Sequence, residues 1–320
     1  MAKRPWILTA DWHLTLRPRD AYRWKFLEWL HGTVQAYDAG RLFILGDLTD
    51  DKDRHEAELV DRLVDRLVGF TKFLCVVYIL KGNHDYVDPC HPFFGFLHNV
   101  SNIRFFSAPA ELTVDGVDVL FVPHGQWKAA ARMDRPADIV LMHEIVKGAS
   151  LGATRAQEVA AWEPPDAGLI YSGDVHWPQR VGRVEYVGAP YPIAFGDDFV
   201  PRIVLLDGGC SARDLTPPHP SKWLVEMNYG QKLSDCVSKA VRGDHVKVRV
   251  FMHRRDFDDW YKCRQGLLDE AAAKGLEVHG IELRSLDETD AQAPGRVRDG
   301  RRDPEAVLES YAKQHKIPKG

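Results

Sequence analysis

The sequence predicts a layered α/β fold followed by a small α/β module, and three observations carry that reading. Short apolar runs alternate with helical periodicity through the first hundred or so residues, the mark of a mainly parallel sheet. From Ile103 the texture changes to short strands, with Asp115-Gly116 as a two-residue hairpin signal between residues 111–114 and 117–122. A proline-rich break, Thr216-Pro217-Pro218-His219-Pro220, then precedes a self-contained strand–helix–strand pattern.

Trp6–Thr9 opens the first sheet as a short apolar strand. Asp20 is placed to cap a helix running to about Tyr37, with Trp24, Leu27, Leu30 and Val34 at helical spacing and Gly40 to end it. Residues 42–45 form the next strand, Leu59, Leu63 and Leu67 mark one face of a helix over 53–68, and the apolar run 73–80 is the third strand. Further short strands at 139–142, 169–171, 181–183, 184–187 and 202–206 predict a second, mixed or antiparallel sheet. Past Pro220 come a strand at 223–227, a short helix at 233–241, a strand at 245–251, a helix at 256–274 and a strand at 276–283. Residues 287–303 have the composition of a flexible linker. A terminal helix over 304–314 would present Val307, Leu308 and Tyr311. The expected division is a domain over 1–215, a module over 221–285, and a linker with its helix over 286–320.

With 320 residues, 45% hydrophobic and 28% charged, the chain can bury a full core. A net charge of −4 does not advertise a polyanion partner. Five cysteines with no C-x-x-C pair argue against a disulfide scaffold and for a reducing compartment, with Cys75 a small core residue. No apolar signal region follows Met1, and the longest apolar run is far short of a membrane span, so a soluble, cytoplasmic protein (bacterial or in an infected cell) is expected. A Gly-rich phosphate loop of the G-x-x-x-x-G-K-[ST] kind is missing, which argues against ATP hydrolysis by this chain.

Five polar signatures punctuate the strands: Asp11-Trp12-His13, Gly46-Asp47-Leu48-Thr49-Asp50, Gly82-Asn83-His84-Asp85, His143-Glu144 and Gly173-Asp174-Val175-His176. Each follows an apolar strand, and strands of a layered sheet present their C-terminal ends to one rim. Carboxylate, imidazole and amide oxygen suit hard or borderline divalent cations, so the five signatures spell a candidate two-metal crevice.

In this order the signatures resemble the calcineurin-like metallophosphoesterase superfamily, from residue 7 to about residue 206. The resemblance implies a four-layer αββα sandwich, two packed mixed sheets with helices outside, and a small C-terminal α/β capping domain. It also implies two divalent ions, about 3.5–4 Å apart, that clamp a phosphodiester and activate water. Carried over by motif, Asp47 is the shared ligand, Asp11, His13 and His176 complete one site, and Asn83, His143 and Asp174 the other. His84 would face the scissile phosphate, Asp85 would orient His84, and Asp50 would support the ligands from behind. The superfamily more often has histidine where this chain has Asp174, and that oxygen ligand favours Mn²⁺, or Mg²⁺, over Zn²⁺.

Other residues carry two readings each. Trp12 and Trp177 border ligands and either stack on a nucleobase or fill the core. His124 either reaches the crevice or sits on a surface loop. Lys247 and Arg249, with Arg254 and Arg255, either touch a phosphate backbone or belong to a mixed solvated face, since Asp256, Asp258 and Asp259 follow. Arg296, Arg298, Arg301 and Arg302 are likewise interrupted by acids. The segment 186–197 resembles the one that follows the ligands in SbcD-type DNA-repair nucleases and their phage relatives. There Gly188 and Pro190 would set a turn whose amides cradle a nucleic-acid phosphate, or a plain structural turn. The resemblance implies a metal-dependent DNA exonuclease with some endonuclease activity, acting in DNA repair, recombination or phage DNA processing. It also implies a homodimer paired with an SMC-like ATPase of the SbcC type. A phosphodiesterase or phosphatase for small molecules, and a slow-cutting subunit that binds DNA ends, remain the alternatives.

Overall fold

A computed structural model of the chain describes residues 4–133, 137–151, 154–155, 167–207 and 211–287. Its first sheet runs in the order Ser211–Leu215, Ile203–Asp207, Trp6–Thr9, Arg41–Ile44, Val76–Leu80, Ile103–Phe106. The last four strands are parallel, while Ile203–Asp207 and Ser211–Leu215 add antiparallel strands at the other edge. The second sheet runs Gln179–Val181, Val184–Tyr186, Ala167–Ser172, Ala137–Met142, Val117–Val122, Ala110–Val114, with parallel pairing through its centre and antiparallel edges.

The two sheets pack face to face. Trp6, Leu8, Phe43 and Leu80 of the first meet Val119, Phe121, Ile139 and Leu141 of the second in one buried cluster. Alternate residues Ile7, Leu42, Ile44 and Ile79 point the other way, into a core formed with the helices Ala21–Ala36 and Ala57–Thr71. Both faces of these strands are therefore dry, which is why the sequence shows continuous apolar runs there and not alternation. Over the outer face of the second sheet, the described residues supply the single turn Trp127–Ala130, with Ala149 and Val175. The fold is the expected sandwich of two packed mixed sheets.

Local details correct the sequence reading. Asp20 precedes the first helix but makes no capping bond; its carboxylate accepts from Thr15 Oγ1 at 3.0 Å and pairs with Arg23. That helix ends on Asp38, not Gly40: Asp38 is left-handed (φ 48°), and Ala39 N–H donates back to Val34 O at 2.9 Å. Asp tolerates that conformation better than most residues, so no glycine was needed. The second helix begins at Ala57, four residues later than its expected start at 53, and the third strand at Val76, leaving Cys75 buried just before it. Asp115 and Gly116 (φ 52° and 78°) make the expected tight hairpin turn.

Lys222–Asn228, His245–Met252 and Glu277–Ser285 form a third, all-parallel sheet, backed by Trp260–Lys274 and the short helix Leu233–Cys236. Residues 254–259 wind as a 3₁₀ segment ahead of the long helix, which the sequence had merged with it. Lys222 Nζ donates to Ile193 O at 2.7 Å, and the rings of Tyr22 and His245 meet edge to face, so this sheet sits against the segment that follows Tyr191. On its open face Lys247 pairs with Glu282 (2.7 Å) and Arg249 with Glu226 (2.9 Å), which makes that face mixed and internally paired. No helix among the described residues is long and apolar enough to cross a membrane. The arginines from 296 to 302 and the terminal segment 304–314 lie outside the described residues.

Candidate metal centre

Parallel strands from both sheets end at one rim, and each ends in a signature. Asp11 and His13 leave Trp6–Thr9, Asp47 leaves Arg41–Ile44, Asn83 leaves Val76–Leu80, His143 leaves Ala137–Met142, and Asp174 leaves Ala167–Ser172. The backbone turns sharply there. Asp11, His13, Asp47 and Asp174 all hold positive φ (55°, 44°, 58° and 72°), a region that Asp and His enter at modest cost. Glycines make room beside them. A methyl on Gly82 would overlap the Asp47 carboxylate, and one on Gly173 would overlap Leu45 O and His143.

The side chains converge around Asp47. One of its oxygens, Oδ2, lies 3.5 Å from His13 Nε2, and the other, Oδ1, lies 3.5 Å from His143 Nε2. His13 Nε2 and His176 Nε2 stand 3.1 Å apart, and His143 Nε2 is 3.8 Å from Asp174 Oδ1. Asn83 donates through Nδ2 to Asp174 Oδ1 at 2.9 Å. Asp11 Oδ2, Asn83 Oδ1 and His143 Nε2 are buried and have no hydrogen-bond partner among the described residues. Buried polar atoms are seldom left alone, and three aimed around one carboxylate fit cation ligands. The ligand atoms of Asp11, His13 and His176 lie close together, as do those of Asp11, Asp47 and His143, a grouping that crosses the two expected ligand sets. A third, His13/Asp47/His84, brings His84 within ligand distance, closer than the sequence reading placed it.

Charge gives the same answer. Burial pushes Asp11 well above the usual carboxylate range, with Asp47 and Asp174 adding to the rise, and burial raises Asp174 too. His143 is buried, yet Asp47, Asp174 and Asp11 hold its pKa up at about 9. Burial lowers His13 and His176, which favours their neutral, ligand-competent form. Crowded carboxylates are what divalent cations neutralise, and imidazoles beside them can serve as ligands.

The surrounding residues divide. His84 Nδ1 bonds the backbone oxygen of Asp50 at 2.7 Å, so Asp50 holds it through its main chain while the Asp50 carboxylate meets Arg17 at 3.2 Å. Asp85 does not orient His84, contrary to expectation. It accepts from the backbone N–H groups of Gly82 (2.7 Å), Asp47 (3.0 Å) and Leu48 (3.1 Å), tying two ligand loops together. Burial and the Asp47 charge raise it to about 6 against those amides. Trp12 is fully buried and bonds Thr9 Oγ1, so it fills the core and cannot stack on a base. Gly188 and Pro190 are buried as well: Gly188 has φ 79° with Pro178 against its α-carbon, and Ala189 N–H is spent on His176 O. The amide cradle expected there is a structural turn. Trp177 is half-buried with its indole N–H on Asp197 (3.1 Å), and His124 does reach the crevice, its ring 6.0 Å from that of His143.

Sequence reasoning missed the supports of the first loop. Arg23 donates to His13 O and Tyr191 to Trp12 O, holding the backbone between Asp11 and His13 from a helix and from a segment 179 residues further along the chain. It also missed Lys81 and Tyr86, which flank the third signature and carried no signal beyond adjacency.

The family model described as calcineurin-like phosphoesterase matches residues 5–189. A comparison with curated protein sequences returned no match. Among solved structures, an archaeal phosphodiesterase is 12% identical with a TM-score of 0.38, covering 66% of this chain and 98% of its own. A Pseudomonas putida nuclease, MPE, is 16% identical with a TM-score of 0.35, covering 66% of this chain and 87% of its own. The matched segment takes in every strand-end ligand from Asp11 to His176, and the chain belongs to the calcineurin-like phosphoesterase family, as a metal-dependent hydrolase of phosphate esters.

Proposed function

We propose that the chain is a metal-dependent DNA nuclease that works with Mn²⁺ or Mg²⁺. The bridging posture of Asp47, one oxygen toward His13 and the other toward His143, is the observation that supports two-metal phosphodiester hydrolysis. Asp11, His13, Asp47 and His176 would hold one ion, and Asp47, Asn83, His143 and Asp174 the other. Divalent ions held there polarise the phosphoryl group and make water a better nucleophile. His84, fixed through Nδ1 on Asp50, presents Nε2 to the phosphate and can hydrogen-bond or protonate the leaving oxygen. The oxygen ligand Asp174 supports the harder ions: activity should be higher with Mn²⁺ than with Zn²⁺.

A polymeric, anionic substrate is supported by the loops that leave the ligand strands. Exposed cations stand on four loops at this rim, Arg17 and Arg19 after His13, Lys52 and Arg54 after Asp47, Lys128 after His124, and Lys147 after His143, with Arg17 paired to Asp50 and with Asp51 and Asp53 among them, in a chain whose net charge is −4. A cationic rim around an anion-hydrolysing centre steers a phosphate backbone. Strand-labelled linear DNA, cyclic dinucleotides and phosphomonoesters compared under Mn²⁺ and then chelator test this. DNA cleavage that chelator stops and added salt weakens is expected; turnover confined to the small molecules would overturn the DNA assignment. Trp177 is the aromatic left to stack on a base. Pairing with a second copy is also proposed, as is docking of an SMC-like ATPase on the segment beyond residue 287 that lies outside the described residues; deletion from Asp287 onward should abolish association with the ATPase.

A further inference from the structure

Beside the ligand cluster lies a second polar group that the roles above leave unused. Tyr86 follows Asp85 at the end of a first-sheet strand, and His124 leaves the end of Val117–Val122 in the second sheet. Backbone and side chain both join them: His124 N–H donates to Lys81 O at 2.9 Å, and Tyr86 Oη lies 2.8 Å from His124 Nδ1. Under this pair sits Lys81, fully buried, its Nζ without a hydrogen-bond partner among the described residues and 4.1 Å from the centroid of the Tyr86 ring. His124 stands nearly perpendicular to His143 (80°), and its Nε2 has no partner among the described residues.

We propose that Tyr86 is a positioning residue: it donates to His124 Nδ1, so Nε2 carries the hydrogen and donates to a phosphoryl oxygen of the bound substrate. A neutral imidazole has one donor nitrogen and one acceptor, and whatever bonds one nitrogen decides the other. The phenol can donate or accept, and the ammonium against its ring face draws electron density from it, favouring donation. Lys81 is held there against the face of the ring. The substrate would then meet a hydrogen-bond donor from the second sheet. This rests on the phosphodiesterase reading given above.

Hydrolysis of bis(4-nitrophenyl) phosphate with Mn²⁺ would be followed in the wild type and in Tyr86→Phe, His124→Ala, His124→Gln and the pairwise combinations. Mn²⁺ affinity is read by calorimetry, and the His124 tautomer by nitrogen-15 spectra of the metal-free protein. Expected is a loss in kcat of about 100-fold in Y86F and in H124A, with Mn²⁺ affinity unchanged. Y86F/H124A should be no slower than H124A, since Tyr86 acts through His124. H124Q, whose amide nitrogen reaches the place of Nε2, should recover part of the rate and make Y86F immaterial. Additive losses, a wild-type rate in Y86F, or a hydrogen on Nδ1 of His124 in the wild-type spectra would each overturn the inference. A wild type that hydrolyses no phosphodiester would instead overturn the reading beneath it, while the spectra would still report the tautomer.

Discussion

Asp85→Asn separates two accounts of the same carboxylate. Were Asp85 there to orient His84, the variant would lose turnover and little else. In the structure its oxygens receive three backbone N–H groups: Oδ2 from Gly82 and Asp47, Oδ1 from Leu48. An asparagine oxygen at the Oδ2 position keeps two of these and sets its NH₂ against the Leu48 N–H. One buried donor left unsatisfied costs about 2 kcal/mol, and exchanging a charged for a neutral acceptor on the others costs about 1 kcal/mol more. A loss of about 3 kcal/mol corresponds to a Tm drop of roughly 4–5 °C for a chain of this size. Because the clamp ties the Asp47 loop to the Gly82-Asn83 loop, Mn²⁺ affinity should fall about 10–100-fold. Calorimetric titration with Mn²⁺ and thermal unfolding measure both effects. An Asp85→Asn protein with wild-type metal affinity and Tm but slow turnover would refute the clamp and restore the orienting role.

His84→Ala removes the imidazole held on Asp50 and should lower kcat about 10²–10⁴-fold with Mn²⁺ stoichiometry intact; loss of an ion in the titration would make His84 a ligand, as its closeness to His13 and Asp47 allows. Gly173→Ala drives a methyl into Leu45 O and the His143 ring, and should cost at least about 3 kcal/mol and spoil metal binding; a variant that still takes up two equivalents of Mn²⁺ would show that the loop yields. Acid should weaken the seam between the third sheet and the catalytic sheets, where burial, with His279 and Lys222 beside it, holds His245 down to about 4. Above the ordinary histidine pKa near 6.5 its stabilisation is complete, and between about 6.5 and 4 the unfolded chain binds the extra proton, so stability falls as pH falls. The full shift amounts to about 3 kcal/mol, or roughly half that after solvent screening at the seam. Replacing His245 by Asn should flatten the dependence of Tm on pH in that window, and an unchanged slope would rule His245 out as its source.

The candidate ligands are legible in the chain because ligand chemistry and strand-to-turn geometry are short-range information. Asp, His and Asn directly after apolar strands, with glycines at Gly46, Gly82 and Gly173, needed no knowledge of neighbours to be noticed. The strand and helix series was equally visible, since burial on both faces writes continuous apolar runs and burial on one face writes helical spacing. What tertiary structure alone decided is which atoms meet across elements. The same Asp85 next to His84 in sequence turns to three amides, because two strand ends bring their N–H groups around it. Gly188 and Pro190, expected to set a turn with exposed amides, are buried, Gly188 against Pro178, and the Ala189 N–H between them goes to His176 O. Tyr86 and His124 come from separate sheets and share a hydrogen bond only through the way those sheets pack. Local sequence specifies a side chain and its backbone turn; the partner it finds depends on the relative placement of layers, which no single segment encodes.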